Sequence, residues 1–186
     1  GRRYDADVIR INSQSGKGGV GYILERNYGL DLPPKMREAM GYATKDASDV
    51  LNKELQPEEI FELFKQKFEN VTTPYQVTEV HFRKNNGISA EVHSVCNGEQ
   101  IVTFAQGNGS LNAVSNALKK AYGLDYSVVT YTEHALEKSS SSRAIAYVGI
   151  ESKRDGKLYW GAGVDADITH ASIDALVTAI NNSLNA

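Results

Sequence analysis

Gly107-Asn108-Gly109-Ser110 leads directly into apolar positions at Leu111, Val114, Leu118 and Ala121, so a glycine loop opens a helix there. Glycines let a backbone approach a ligand closely, and unpaired N–H groups at a helix start attract a carboxylate. The same residues also suit an ordinary strand-to-helix turn, with Ser110 as the cap and Gly123 as the stop. A second helix start, Asp165-Ala166-Asp167-Ile168, carries carboxylates that would repel an anion and welcome an ammonium. Two such unlike starts brought together would suit an amino acid. If they do so, Asp167→Asn should weaken its binding.

Gly16-Lys17-Gly18-Gly19-Val20-Gly21 looks like the opening of a phosphate-binding loop. That chemistry needs a lysine and a Ser/Thr after the last glycine, and Tyr22 and Ile23 stand there instead. A tight turn is the expected structure, and no ATP site is expected. His81, His93, His134 and His170 form no motif with metal-ligand spacing, and a hairpin turning at 85–87 sets His81 near Ala90 or Glu91 rather than opposite His93. Cys96, the one cysteine, excludes an internal disulfide, fits a reducing compartment, and has no neighbour that would activate it. No catalytic residue and no metal ligand is assigned.

The elements that would position these residues fall into two regions. Ile9 and Ile11 alternate with Arg10 as in a strand over 6–14, and Gly21–Asn27 fits a short strand or a helical turn. Pro33-Pro34 precedes a helix carrying Met36, Met40, Ala43, Ala47, Val50 and Leu51, and Pro57-Glu58-Glu59 starts another through Ile60, Phe61, Phe64 and Phe68. Residues 1–70 therefore read as an extended start followed by a mainly helical subdomain. Val71-Thr72-Thr73-Pro74 reads as a linker, and residues 75–186 as a second domain.

That second domain repeats itself. Strand patterns at Tyr75–Arg83, Ile88–Val95 and Gln100–Ala105 precede one helix; those at Tyr126–Glu133, Arg143–Lys153 and Lys157–Val164 precede a helix over Ile168–Leu184. A shift of 58 residues superposes Gly156 on Gly98, Ala171 on Ala113, Ala175 on Ala117, Leu176 on Leu118 and Ala179 on Ala121. The expected fold is α+β: a helical linking subdomain, then a pseudo-twofold pair of βββα units. Alanine at every fourth position of both helices favours close approach to a neighbour, or simply helix formation. Ser139–Ser142 lies between two strands as a mobile surface loop or a lid over a small ligand. Any apolar sheet face left over invites a second chain.

The chain has 186 residues, 41% apolar and 23% charged, enough to pack a core. Twenty basic against 23 acidic residues give a net charge of −3, which argues against nucleic acid as the main partner. No run approaches the roughly 18 apolar residues of a membrane span. Gly1 rather than Met, with no apolar signal region behind Arg2 and Arg3, suggests a piece of a longer, cytoplasmic protein.

Two blocks resemble long-form 2-isopropylmalate synthases. The first is Gly1-Arg2 and Tyr4, then Ile9-Arg10-Ile11-Asn12-Ser13-Gln14-Ser15-Gly16-Lys17-Gly18-Gly19-Val20, with Tyr28-Gly29-Leu30 and Leu32-Pro33. The second is Gly107-Asn108-Gly109 with Tyr131, Glu133-His134-Ala135, Ala146-Tyr147-Val148, Trp160-Gly161, Ile168-Thr169 and Ala171-Ser172. The resemblance implies the C-terminal regulatory part of an acyltransferase that joins acetyl-CoA to 3-methyl-2-oxobutanoate in leucine biosynthesis. Catalysis and a divalent metal would belong to a TIM barrel absent from this chain, which would itself be inactive and hold no cofactor. The implied partners are leucine, bound for feedback inhibition, the protein's own barrel, and a second copy forming a homodimer through the regulatory domain. The implied effector residues are Leu111, Asn112, Val128, Tyr131, Ala135, Ser142 and Ala144, with Gly107, Asn108 and Gly109 as the loop beside them. Tyr131 packing only on its sheet is the plainer alternative. An isoleucine-sensing regulatory part of (R)-citramalate synthase, or a stand-alone amino-acid-binding dimerisation module, are the rival readings.

Overall fold

The computed structural model describes residues 16–84, 86–136 and 142–186, and the chain divides into two compact units, Gly1–Lys67 and Phe68–Ala186. The strand expected over 6–14 and the serines at 139–141 lie outside the described residues.

In the first unit, α1 (Gly16–Tyr28) runs through the glycine-rich string, so the expected tight turn is replaced by a helix. Val20, Ile23 and Leu24 recur at helical spacing and are buried, which outweighs the low helix propensity of the glycines. A Cβ on Gly21 would lie 3.0 Å from Cδ of Arg37 on α2 (Pro34–Leu51), so a small residue is wanted where α1 packs on α2. Gly29, at φ 69°, ends α1. On α2, Met36, Met40, Ala43 and Thr44 are buried, but Val50 and Leu51 are exposed, so the apolar stripe is shorter than the sequence pattern implies. The helix α3 (Pro57–Phe68) begins with Glu59 accepting from the Gln56 N–H at 2.9 Å. It buries Ile60, Phe64 and Phe68, while Phe61 stacks on Tyr28.

The second unit contains the doubled motif. Strands β1 (Tyr75–Lys84), β2 (Ile88–Cys96) and β3 (Glu99–Gly107) form one antiparallel sheet in sequence order, followed by α4 (Ser110–Tyr122). Strands β4 (Tyr126–Ala135), β5 (Ala144–Ser152) and β6 (Leu158–Asp165) form the other, followed by α5 (Ile168–Asn185). The two sheets share a local irregularity. β1 bulges against β2 between Val77 and Glu79, and β4 bulges against β5 between Val128 and Thr130. Helix α4 packs on β2 and β3, α5 on β5 and β6, and the two helices meet in one core.

The alanine rows acquire a specific role in α5. A Cβ on Gly161 would lie 2.2 Å from the Ala175 carbonyl oxygen, and one on Gly163 would lie 2.0 Å from that of Ala171. Strand β6 thus sits almost directly on the α5 backbone, which only small residues on both sides allow. In the first repeat Thr103 and Ala105 occupy the matching positions, so the close approach at this pair of positions belongs to the second repeat.

The segment before β1 is fastened to α5. Asn181, fully buried, accepts from the Tyr75 N–H at 3.0 Å and donates to the Val71 and Tyr75 carbonyls at 2.8 Å each. Asn181→Ala strands these three backbone groups, and the expected loss is about 2 kcal/mol in denaturant unfolding. A loss under about 0.5 kcal/mol would show that the clamp contributes little.

Asp174 on α5 has its carboxyl pushed above the ordinary range by burial and by the neighbouring Asp165 charge, against an opposing His170. The folded state then holds this proton more tightly than the unfolded chain, so stability falls as pH rises from the usual carboxylate range through the raised value. Asp174→Asn should remove that part of the decline and raise the melting temperature at neutral pH. Equal pH slopes for both proteins would contradict the assignment.

Candidate functional site

The starts of α4 and α5 meet at one hollow of about 460 Å³, closed on a third side by β4. From α4 and its loop come Asn108, Gly109, Ser110, Leu111, Asn112 and Ser115; from β4 come Val128 and Tyr131; from α5 come Ile168, Thr169 and Ser172. The sequence-derived residues Leu111, Asn112, Val128 and Tyr131, with loop residues Asn108 and Gly109, are therefore brought together. Ser110, Ser115 and the Thr169 and Ser172 part of the α5 wall were missed, whereas the start of α5 at Ile168 was expected to meet that of α4. The 58-residue shift carries the signal for that wall, because it places Ile168 on Ser110, Thr169 on Leu111 and Ser172 on Val114.

Four expected residues do not line the hollow. A Cβ on Gly107 would lie 2.5 Å from the Ala113 N atom, so this glycine serves the packing of β3 on α4. Ala135 pairs with Ala144 at the far end of the β4–β5 ladder, about 13 Å beyond Tyr131 at strand spacing. Ser142 is exposed, two residues before β5 begins.

The two helix starts differ in electrostatics. Gly109 is the N-cap of α4, so Ser110 lies inside the helix rather than capping it. No side chain caps this end, and no acidic residue occupies its first turn. Its partial positive charge faces the hollow unopposed. Asn112 instead braces the loop, its Oδ1 accepting from the Asn108 N–H at 3.0 Å. At α5, Asp167 is the N-cap and accepts from the Thr169 N–H at 2.8 Å, while its own N–H donates to Asp165 Oδ1. The Asp167 carboxylate thus serves its own helix and does not line the hollow, which removes it as the expected ammonium partner.

Other polar groups on the wall are already engaged. Ser115 Oγ and the buried Tyr126 hydroxyl are 2.7 Å apart, and Ser172 Oγ donates to the Thr169 carbonyl at 2.8 Å. Tyr131 donates its hydroxyl hydrogen to Glu133. Partial burial and that carboxylate push the Tyr131 phenol up to about 12, so it stays a neutral donor across the physiological range. The lining is otherwise amide, hydroxyl and aliphatic.

Comparison with known proteins shows which family the chain resembles. Residues 54–184 match the LeuA allosteric (dimerisation) domain, and residues 1–25 match the alpha-isopropylmalate synthase post-catalytic domain-like family. A 2-isopropylmalate synthase of Desulfitobacterium hafniense is 47% identical over 184 residues, covering 99% of this chain and 33% of that protein. The corresponding enzyme of Helicobacter hepaticus is 44% identical, covering 97% of this chain and 34% of its own length. That of Saccharomyces cerevisiae is 37% identical, covering 100% and 31%. The chain spans about a third of the length of the curated relatives it matches.

Proposed function

The chain belongs to the LeuA allosteric (dimerisation) domain family, and on that premise we propose that it is the leucine-sensing regulatory part of a 2-isopropylmalate synthase. The observation that carries this reading is the hollow where two unlike helix starts converge without a reactive group. The uncapped start of α4 suits the carboxylate of an amino acid. Leu111, Val128 and Ile168 supply an apolar wall for a branched side chain, and the ammonium meets amide and hydroxyl oxygens rather than a carboxylate. Its volume lies within the roughly 300–1,000 Å³ of small-molecule pockets.

Condensation of acetyl-CoA with 3-methyl-2-oxobutanoate, and the divalent metal it uses, are assigned in this reading to the remaining two thirds of the longer protein. Leucine would bias that part through a coupling of about 1–3 kcal/mol. A homodimer is part of the proposal. Val128, Val129 and Tyr131 are exposed beside the hollow, so a second copy can close it. Ala135, Ser142 and Ala144 join the site in this reading only as the contribution of that second copy.

Calorimetric titration with leucine, isoleucine and valine, followed in parallel by sedimentation, tests the proposal. Leucine should bind at least about tenfold more tightly than the other two, the discrimination one displaced methyl group commonly allows, and should favour the dimer. Preference for isoleucine would move the chain to the citramalate-synthase reading, and no binding of any of the three would overturn the proposal.

A further inference from the structure

Away from the hollow, the open face of the first sheet carries a second cluster. The β1–β2 register places Glu79 opposite His93 and His81 opposite Glu91. Strand alternation puts all four side chains on one face, with imidazoles on one diagonal of a square and carboxylates on the other. The bulge creates this arrangement. Tyr75 and Val77 face the core before it, Val80 and Phe82 after it, so the extra residue turns Glu79 outward to join His81. The two rings lie edge to face with centroids 5.9 Å apart. One donor atom from each of Glu79, His81 and His93 lies within 4.8 Å of the others. Glu91 Oε2 is 2.5 Å from His93 Nε2, and Glu79 Oε2 touches His81 Nε2.

We propose that this square binds a divalent transition-metal ion of the zinc class, through Nε2 of His81 and His93 and the Glu79 carboxylate, with Glu91 as fourth ligand. Two imidazoles and two carboxylates form a mixed N/O set that suits Zn²⁺, Co²⁺, Ni²⁺ or Cu²⁺, whereas Ca²⁺ and Mg²⁺ prefer all-oxygen shells. With neutral imidazoles the square carries two negative charges, which a dication balances. Arg83, the nearby cation on this face, sits one pair further along, opposite Ser89. The donors are spaced by paired strands, so binding needs side-chain rotation and no backbone change. The second repeat supplies an internal contrast. It has the same bulge, but Thr130 faces Gly149 and Thr132 faces Tyr147, so no ligand set forms there. The site is independent of the leucine reading.

Titration of the 186-residue chain with Zn²⁺, by calorimetry and by Co²⁺ absorption, tests the assignment. One ion per chain is expected, with no comparable heat from Mg²⁺. His81→Gln and His93→Gln should each weaken binding at least about tenfold, while His134→Gln and His170→Gln leave it unchanged. Both ligand variants alter part-exposed side chains of a strand face, so folding should survive. Histidine NMR shifts in the unsubstituted chain give a readout that does not depend on any variant, and His81 and His93 should move together at one equivalent. Absence of binding, undiminished affinity in the double variant, or shifts confined to His134 and His170 would overturn the site.

Discussion

Gly163→Ala should destabilise the second unit by about 3 kcal/mol, the upper end of what overpacking a tight interior costs, and lower the melting temperature of the chain by about 10 °C. The new Cβ would lie 2.0 Å from the Ala171 carbonyl oxygen, 2.8 Å from the Ala175 N atom and 2.9 Å from Asp174 Cβ. Two of those neighbours are helix backbone, which cannot swing aside as a flexible side chain would, so α5 must lift from β6 as a body. The cost is steric, because Gly163 is not among the residues at positive φ. Gly161→Ala, with Ala175 O at 2.2 Å and Ala179 N at 2.5 Å, should behave alike. Gly109→Ala is the control, since nothing lies within 4 Å of its added Cβ, and it should cost less than about 1 kcal/mol. Chemical denaturation of the three variants separates the cases. Equal stabilities would mean that helix and sheet are not in this close contact.

The second large effect concerns the hollow. Val128→Trp should lower leucine affinity at least ~100-fold, about 2.7 kcal/mol, by filling the space with an indole. Val128 sits on β4 at 39% exposure, so the larger side chain can be accommodated without entering the core, and aromatic residues suit strands. The melting temperature should therefore stay within a few degrees. Tyr131→Ala should cost affinity less, about tenfold, the loss of one hydrogen-bonding wall residue. Leucine binding by Val128→Trp at undiminished affinity would place the effector elsewhere.

The βββα doubling was legible because its signals are local: Asn-Gly turns, strand alternation and helix starts. The 58-residue shift was drawn on the turn, last strand and helix of each unit. It holds from Glu99–Gly107 onward, but 56 residues separate Ile88 from Ala144 and 51 separate Tyr75 from Tyr126. The connection between β4 and β5 is longer than that between β1 and β2, and the turn before β6 is longer than Asn97-Gly98. Loop lengths vary without disturbing a sheet, so a gapless comparison sees the conserved end alone. The α1 helix was hidden by its glycines, because Val20, Ile23 and Leu24 reveal their shared face only against α2. At the hollow, Leu111, Asn112, Val128 and Tyr131 converge with the α5 start at Ile168, as the pairing of the two helix starts implies, but Thr169 and Ser172 needed that pairing carried one turn further into the helix. Pairing His81 with Glu91 was foreseeable from the turn at 85–87. The square with Glu79 and His93 was missed, although the three-residue step from Val77 to Val80 breaks the alternation of Tyr75, Val77, Val80 and Phe82 where the bulge lies.

The most direct test of the central claim is an NMR contact map of the chain saturated with leucine carrying labelled methyl groups. Intermolecular contacts from those methyls to Leu111, Val128 and Ile168 are the expected result. Contacts to other residues, or a spectrum unmoved at saturation, would contradict the assignment of the hollow between the two helix starts.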